Sequence, residues 1–311
     1  MTISLDDKLV LTVSSSALFD LSESDKVFQE DGIDIYREFQ KKNIDVKLKK
    51  GVAFPFIKRI LKLNKVFDHI QPIEVILCSK NDPDTGLRVL RSIKEHDLDM
   101  SRGIFLSGSS PYPYLPAFKS SLFLSKNSND VLKAIGENIA AGIVQDSHIY
   151  DDEEDNELRI AFDFDGVIAD DESEKVYQNT NLENFKDHET KFSNIPHNPG
   201  PLKPLLEKIV FLQKLENERK KYDPNYQKII KTSIITARDA PAHERLVTTL
   251  KSWELEVNET FFLGGFDKGE IVKILKPHIF FDDQISHLKS TSDYISSVHI
   301  PFGTNNKSPK D

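Results

Sequence analysis

Residues 158–170 read Leu-Arg-Ile-Ala-Phe-Asp-Phe-Asp-Gly-Val-Ile-Ala-Asp, and the rest of the chain is best interpreted around this stretch. The apolar residues 160–162 predict a buried strand that ends in two carboxylates, Asp163 and Asp165, and Gly166 allows a sharp turn after them. In an open α/β sheet, ligands bind at the carboxyl ends of the strands. Two neighbouring carboxylates repel each other unless a cation offsets their charge. Mg²⁺ is the natural candidate, because it prefers oxygen ligands such as carboxylates. The stretch therefore predicts a magnesium site at a strand end.

Such a site supports phosphoryl transfer. A carboxylate beside Mg²⁺ can attack a phosphoryl group and form an aspartyl-phosphate, while a second carboxylate protonates the leaving oxygen and then activates water. We assign Asp163 as the nucleophile and Asp165 as the general acid and base. The alternative is an ordinary surface turn, because Asp and Gly are frequent turn residues.

Composition narrows the class of protein. The 311 residues are 38% hydrophobic and 29% charged, which is typical of a soluble globular chain that is long enough for two domains. The formal net charge of -9 argues against a nucleic acid polymer or a membrane surface as partner. A single cysteine, Cys78, fits a reducing compartment, and no apolar run has the length of a signal peptide or a membrane span. We expect a cytoplasmic protein.

Three further polar clusters follow apolar runs in the second half of the chain. A hydroxyl and a guanidinium at a strand end, Thr236 and Arg238, suit the oxygens of a phosphate. Lys268 near a helix start can balance clustered carboxylates. Asp282 and Asp283 end another strand, and Asp282 is the better candidate to complete the metal shell. Each cluster alone has an ordinary structural explanation, but their order in the chain favours one site.

These clusters resemble the four motifs of the haloacid dehalogenase superfamily of phosphotransferases. Within it the chain is similar to the cytosolic 5'-nucleotidase type I family in both halves. The similar segments are residues 13–20, 81–85, 87–89, 123–125, 170–174, 200–203, 235–238, 250–253 and 277–284. The first motif reads Asp-Phe-Asp-Gly where family members carry Asp-Gly-Asp-Ala, a change that keeps both aspartates.

The resemblance implies a magnesium-dependent 5'-nucleotidase, a phosphoric monoester hydrolase that acts on nucleoside 5'-monophosphates, with AMP as the leading candidate. It implies catalytic roles for Asp163, Asp165, Thr236 and Lys268. Substrate binding would fall to Gly166, Thr236 and Arg238, and metal binding to Asp163, Asp165, Asp282 and Asp283. Two alternatives stay open, a phosphatase for another small phosphoester and a nucleotide-binding regulator. A homo-oligomer and a nucleotide effector are further partners that the sequence leaves open.

The fold that follows is α/β. Residues 158–311 would form the catalytic domain, a Rossmann-like parallel sheet of haloacid dehalogenase type with a small cap inserted at about residues 171–200. Aromatic residues of this cap, Tyr177, Phe185 or Phe192, are candidates to stack on the base. Residues 149–157 contain an acidic run and are interpreted as a linker.

The first half, residues 1–148, looks like a degenerate α/β copy of the second. Aligning the two halves places Ser14 and Ser16 opposite the two aspartates of the first motif, and Cys78 opposite Thr236. Without its acids this domain could not hold magnesium, and it would serve as a dimerisation surface, an effector site or a wall of the active site. The alternative is that any two α/β halves look alike in sequence.

Overall fold

The computed structural model describes residues 5–147 and 151–306. By their internal contacts the residues group into two compact units, Met1–Val144 and Gln145–Asp311. The predicted domain boundary at residue 148, the first residues of the predicted linker and the last five residues of the chain lie outside the described residues. Among the described residues, none of the helices combines the length and the hydropathy needed to cross a bilayer.

In its described residues the first unit carries a parallel sheet with the strand order β5-β4-β1-β6-β7. A short antiparallel pair, β2 with β3, lies outside this sheet. The strands are β1 (Leu9–Ser14), β2 (Phe19–Asp20), β3 (Lys49–Lys50), β4 (Ile73–Ser79), β5 (Arg102–Phe105), β6 (Leu122–Ser125) and β7 (Ala141–Val144). The helices are α1 (Ser15–Leu18), α2 (Ser22–Lys42), α3 (Phe54–Val66), α4 (Pro83–Glu95) and α5 (Ser128–Gly136).

One prediction for this unit is wrong. The sequence predicts a single helix over residues 129–144, but α5 ends at Gly136 and the chain continues into the strand β7. Asn138 adopts a positive φ of 57°, which a helix does not allow. The apolar run at residues 139–144 fits helix and strand alike, so periodicity could not separate them.

The second unit, in its described residues, carries a parallel sheet with the strand order β10-β9-β8-β11-β12. Its strands are β8 (Leu158–Phe162), β9 (Ile230–Thr236), β10 (Glu259–Phe262), β11 (Ile279–Asp282) and β12 (Ser297–His299). Its helices are α6 (Glu172–Asn179), α7 (Leu182–Lys191), α8 (Lys203–Tyr222), α9 (His243–Ser252), α10 (Lys268–Leu275) and α11 (Ile285–Thr291). Both units are therefore mixed α/β structures with mainly parallel sheets, consistent with a Rossmann-like fold.

The helices α6 and α7 lie between the first two strands of the second unit, within the segment 171–200 that the resemblance marks as a cap; we call it the cap segment. Asn181 begins α7 by accepting a hydrogen bond from the backbone of Asn184 at 2.9 Å. The central strand β8 is almost wholly buried, as expected for a parallel strand that is covered on both faces. The carboxyl ends of β9, β8 and β11 are therefore neighbours.

The two sheets agree in strand order and in register. Leu9 pairs with Ile73 in the first unit as Leu158 pairs with Ile230 in the second. With Leu9 set against Leu158, Ser14 falls opposite Asp163, and Ser79 rather than Cys78 falls opposite Thr236. The hydroxyls of Ser79 and Thr236 each accept a hydrogen bond from the backbone N–H two residues later, at 3.1 and 3.3 Å.

Candidate active site

Three site residues lie at the ends of neighbouring strands. Asp163 follows β8, Thr236 ends β9 and Asp282 ends β11. Their exposed fractions are 4%, 1% and 0%, so the two carboxylates are held out of water. Because burying a charged group is unfavourable unless it is paired, these two acids need a partner of opposite charge.

That partner is Lys268, the first residue of α10. Its Nζ lies 2.8 Å from an oxygen of Asp163 and 2.7 Å from an oxygen of Asp282. The helix begins here because the side chain of Asp267 accepts a hydrogen bond from the backbone of Gly269 at 2.8 Å. Lys268 is 3% exposed, so one buried ammonium bridges two buried carboxylates.

The pKa values of these groups follow from burial and from mutual charge. Burial raises the pKa of Asp163 to about 6, against the opposing charge of Lys268. Burial acts to lower the pKa of Lys268, but Asp163 and Asp282 raise it above its ordinary value. Burial acts to raise the pKa of Asp282, but Lys268 and His287 lower it. Above pH 6 the three groups form a charged cluster.

The turn after Asp163 brings a fourth acid close. Gly166 has a φ of +70°, and a Cβ atom there would lie 2.8 Å from both Cγ and Oδ2 of Asp283. Only a residue without a side chain lets this carboxylate approach the turn. The oxygen atoms of Asp163, Asp282 and Asp283 are the ligand type that Mg²⁺ prefers, so the residues present fit this ion.

Replacing Gly166 by Ala should therefore be more destabilising than the same change at Gly265. Both positions have positive φ, at 70° and 85°, but an added Cβ meets nothing within 4 Å at Gly265. The φ strain costs about 1 kcal/mol in either variant, and the clash with Asp283 adds to it only in Gly166→Ala. Denaturant unfolding of both variants measures the difference, and equal losses would contradict the described turn.

Asp165 and Arg238 form a paired contact at the pocket. Nε and Nη2 of Arg238 each donate to one oxygen of Asp165 at 2.7 Å. Within the described residues all five N–H groups of Arg238 have acceptors. The predicted contact of Arg238 with a substrate phosphate would need one of these bonds to break, and it stays a prediction.

A pocket of about 320 Å³ opens above the buried acids. Its lining combines groups of the predicted motifs with apolar residues of the cap segment. The lining residues are Asp163, Asp165, Glu174, Tyr177, Leu182, Phe185, Thr236, Ala237, Arg238, Asp239, Gly264, Gly265, Gln284 and His287. Two of the three aromatic candidates, Tyr177 and Phe185, line this pocket and meet edge to face with ring centres 6.2 Å apart. The third, Phe192, packs against His188 and Arg245 instead.

His287 lies in the same cluster as Asp163 and Asp282, although no sequence motif pointed to it. Its Nδ1 lies 3.1 Å from Oδ2 of Asp282, and with Asp163 these residues form a group whose ligand atoms lie within 4.8 Å of one another. His287 sits in the first turn of α11, a few residues after the acid pair. Its closeness in the sequence to Asp282 and Asp283 was the one signal that could have identified it.

A second group of potential metal ligands, Asp170, Glu172 and His197, is surrounded differently. Arg238 donates to His197 at 3.1 Å and Arg245 donates to Glu172 at 3.0 Å. Two guanidinium groups beside these ligands disfavour a further cation. His197 is 3% exposed, so it belongs to the interior.

Comparisons with known proteins bear on this arrangement. A profile of the family described as 5'-nucleotidase matches residues 1–307, which spans both units. The human protein named cytosolic 5'-nucleotidase 1B is 33% identical over 307 residues, covering 96% of this chain and 49% of the human one. The chain thus spans about half the length of this curated relative. No solved structure matches. Since the profile extends over nearly every residue, the acids, the lysine and the pocket above them included, the chain belongs to the 5'-nucleotidase family.

Proposed function

We propose that this chain hydrolyses nucleoside 5'-monophosphates, AMP foremost, to nucleoside and phosphate with the help of Mg²⁺. The observation that carries the proposal is the buried bridge of Lys268 between Asp163 and Asp282 at the base of the pocket. Family membership supports the same class of reaction. A buried ion pair of this kind contributes little to stability, because burying its charges costs about as much free energy as their attraction returns. Such clusters are typical of functional sites, and here the charges can act on a phosphoryl group that enters the pocket.

In the proposed reaction Asp163 attacks the phosphorus atom and the ester oxygen leaves. One oxygen of Asp163 is held by the backbone N–H of Phe164 at 2.7 Å, which limits rotation of the carboxylate. Asp165, in its protonated form, gives its proton to the leaving oxygen of the nucleoside. The carboxylate that results takes a proton from the water that hydrolyses the aspartyl-phosphate, which restores the protonated form. The enzyme is regenerated after phosphate is released.

The surrounding groups stabilise charge. The hydroxyl of Thr236 donates to a phosphoryl oxygen, and Lys268 offsets the negative charge that the transferring group brings to the acids. Asp163, Asp282, Asp283 and the backbone carbonyl of Asp165 would hold Mg²⁺. When bound, this ion supplies Lewis-acid polarisation of the phosphoryl oxygens.

The base would lie against the cap segment. Tyr177 is 49% exposed, and Leu182 is 54% exposed, although both line the pocket. Large apolar side chains left open to a pocket gain free energy when a flat ring covers them. This supports a nucleotide over a sugar phosphate, which would leave these side chains in water.

For the first unit we propose a degenerate copy of the second that lacks catalytic acids. Supporting it are the shared strand order and register, with Ser14 opposite Asp163 and Ser125 opposite Asp282. A serine hydroxyl is a weaker ligand of Mg²⁺ than a carboxylate, and it needs an adjacent base or a metal to act as a nucleophile. This unit then contributes no second phosphatase site.

A phosphate-release assay over nucleoside monophosphates and sugar phosphates, with Mg²⁺ and with a chelator, tests the function. We expect AMP or another nucleoside monophosphate to be hydrolysed fastest, and the chelator to abolish phosphate release. Equal turnover of sugar phosphates would favour a phosphatase for another small phosphoester. Binding of AMP without turnover would favour a regulator.

Mg²⁺ should also raise the melting temperature of the protein, and more so at about pH 7.5 than at about pH 5. The pKa of Asp163 rises from 3.8 in the unfolded chain to about 6 in the fold, so the folded protein binds an extra proton between these values. Its stability without metal therefore falls as pH rises through this window, because the buried carboxylate becomes charged. The metal competes with that proton. Differential scanning fluorimetry at both pH values measures the effect, and a shift that is larger at low pH would contradict it.

A further inference from the structure

Arg238 is held by a second carboxylate besides Asp165. Its Nη1, the nitrogen that Asp165 does not contact, donates to Glu189 on helix α7 of the cap segment. Arg238 is 3% exposed and Glu189 is 0% exposed, so this contact is sealed from water. Charged hydrogen bonds of this type are short and directional, and they hold a planar guanidinium in one orientation. The arginine thus joins a carboxylate of the pocket to a carboxylate of the cap segment.

Glu189 is itself held firmly. Its other oxygen accepts from Arg245 at 2.9 Å and from Ser173 on α6 at 2.8 Å. Burial acts to raise the pKa of Glu189, but a hydrogen bond with His197 and the charge of Arg238 lower it well below its ordinary value. Glu189 is therefore an anion, with a fixed position, at neutral pH.

Asp165 needs such support more than Asp163 does. Its side chain is 21% exposed, and it lies at the surface of the pocket. A short carboxylate in that position is free to rotate unless donors fix both of its oxygens. The forked contact of Arg238 provides them at 2.7 Å each. Rings of Phe164 and Phe185 lie 5.3 and 5.7 Å from the guanidinium carbon and limit its movement.

We propose that Glu189 is a positioning residue for the reaction: by fixing Nη1 of Arg238 it aims the arginine fork at Asp165 and so keeps this carboxylate in place for proton transfer. The proposal rests on the proposed function, since it takes Asp165 as the general acid and base. It assigns Arg238 to Asp165 in place of the predicted contact with the substrate phosphate. Proton transfer depends steeply on the position of the acid, whereas binding of the nucleotide does not use Glu189.

The first test compares Glu189→Gln with Arg245→Lys, using AMP as substrate and saturating Mg²⁺. The amide of Glu189→Gln would keep the volume of the side chain but lose the charge that holds Nη1, so we expect kcat to fall about tenfold and KM to change less than about twofold. Arg245→Lys keeps a cation that can donate to the other oxygen of Glu189, where Ser173 also donates, and it leaves the contact of Arg238 with Asp165 in place. It should retain kcat within about twofold. Melting temperatures of both variants show that each is folded at the assay temperature.

The second test is a double-mutant cycle with Asp165→Asn. If Glu189 acts through Asp165, Glu189→Gln lowers kcat about tenfold in the wild-type background but less than about twofold in the Asp165→Asn background. Equal factors in both backgrounds overturn the proposal, because they would mean a general effect on the cap segment. Should Glu189→Gln fail to fold, Arg238→Lys takes its place, since a single ammonium cannot form the fork.

Failure of the proposed function and failure of this inference about Glu189 give different results. A wild-type chain without phosphatase activity overturns the proposed function and this inference together. An active wild type whose Glu189→Gln variant keeps its kcat overturns this inference alone.

Discussion

Asp163→Asn should lose phosphatase activity by a factor of about 10⁴ or more in kcat, because an amide oxygen is too weak a nucleophile to attack phosphorus. The fold should survive. Asn is isosteric with Asp, and the bond from Phe164 N–H to the side-chain oxygen can be kept. Removing this carboxylate also relieves burial of a group whose pKa is raised to about 6. AMP should therefore still bind, and isothermal titration with Mg²⁺ present measures that binding separately from turnover.

The matched control is Asp130→Asn in the first unit. Asp130 is 3% exposed and, like Asp163, it pairs with a lysine, since Lys80 Nζ lies 2.8 Å away. The change therefore has the same chemistry and similar burial. We expect it to lower the stability of the first unit without reducing kcat. Residual turnover of Asp163→Asn near the wild-type rate would refute the assignment of the nucleophile.

Lys268→Met should remove activity and also destabilise the second unit by about 3–5 kcal/mol, because it leaves two buried carboxylates without their shared cation. Met keeps most of the side-chain volume, so the loss reports charge rather than packing. The carboxylates would then repel each other, and protonation of Asp163 would relieve them. The stability loss should for that reason be smaller at about pH 5 than at about pH 7.5.

The control is Lys273→Met on the same helix. Lys273 pairs with the exposed carboxylate of Glu270, and its side chain is 36% exposed. We expect unchanged activity and an unchanged unfolding midpoint. Urea unfolding at both pH values, followed by tryptophan fluorescence of Trp253, measures the two variants. If Lys268→Met were as stable as the wild type, the bridge of Lys268 between Asp163 and Asp282 would make no contribution to the stability of the second unit.

Much of the second unit could be predicted from the chain. The sequence predicts a helix over residues 268–275, and α10 has these bounds in the structure. Its start is marked by the capping residue Asp267, and it ends before Lys276, which adopts the left-handed conformation. The acids after β8 and β11 were predicted to meet because the ends of parallel strands share one edge of a sheet. Lys268 bridges these two acids, Asp163 and Asp282. Strong local signals and a regular sheet were sufficient there.

Short strands were harder to predict. The strand β7 was predicted as helix, and β12, with three residues, was not predicted at all. Strands of this length have too few residues for a period to emerge, and their pairing partners are distant in sequence. The register of the two sheets also corrects the alignment of the two halves, because Ser79 and not Cys78 lies opposite Thr236. An offset of one residue cannot be detected without the hydrogen bonds between the strands.

The residue types at the strand ends could be predicted from the sequence alone, and with them the family and the expectations of phosphoryl transfer and of a hard metal ion. What each of those groups touches is visible only in the folded chain. Arg238 was predicted near a phosphate but all five of its N–H groups have acceptors among the described residues, and Glu189 and His287 carried no motif at all. The physical reason is that hydrogen bonds and buried charges are satisfied by whichever groups the packing brings within about 3 Å, and residues separated by about 50 positions leave no local trace of that contact.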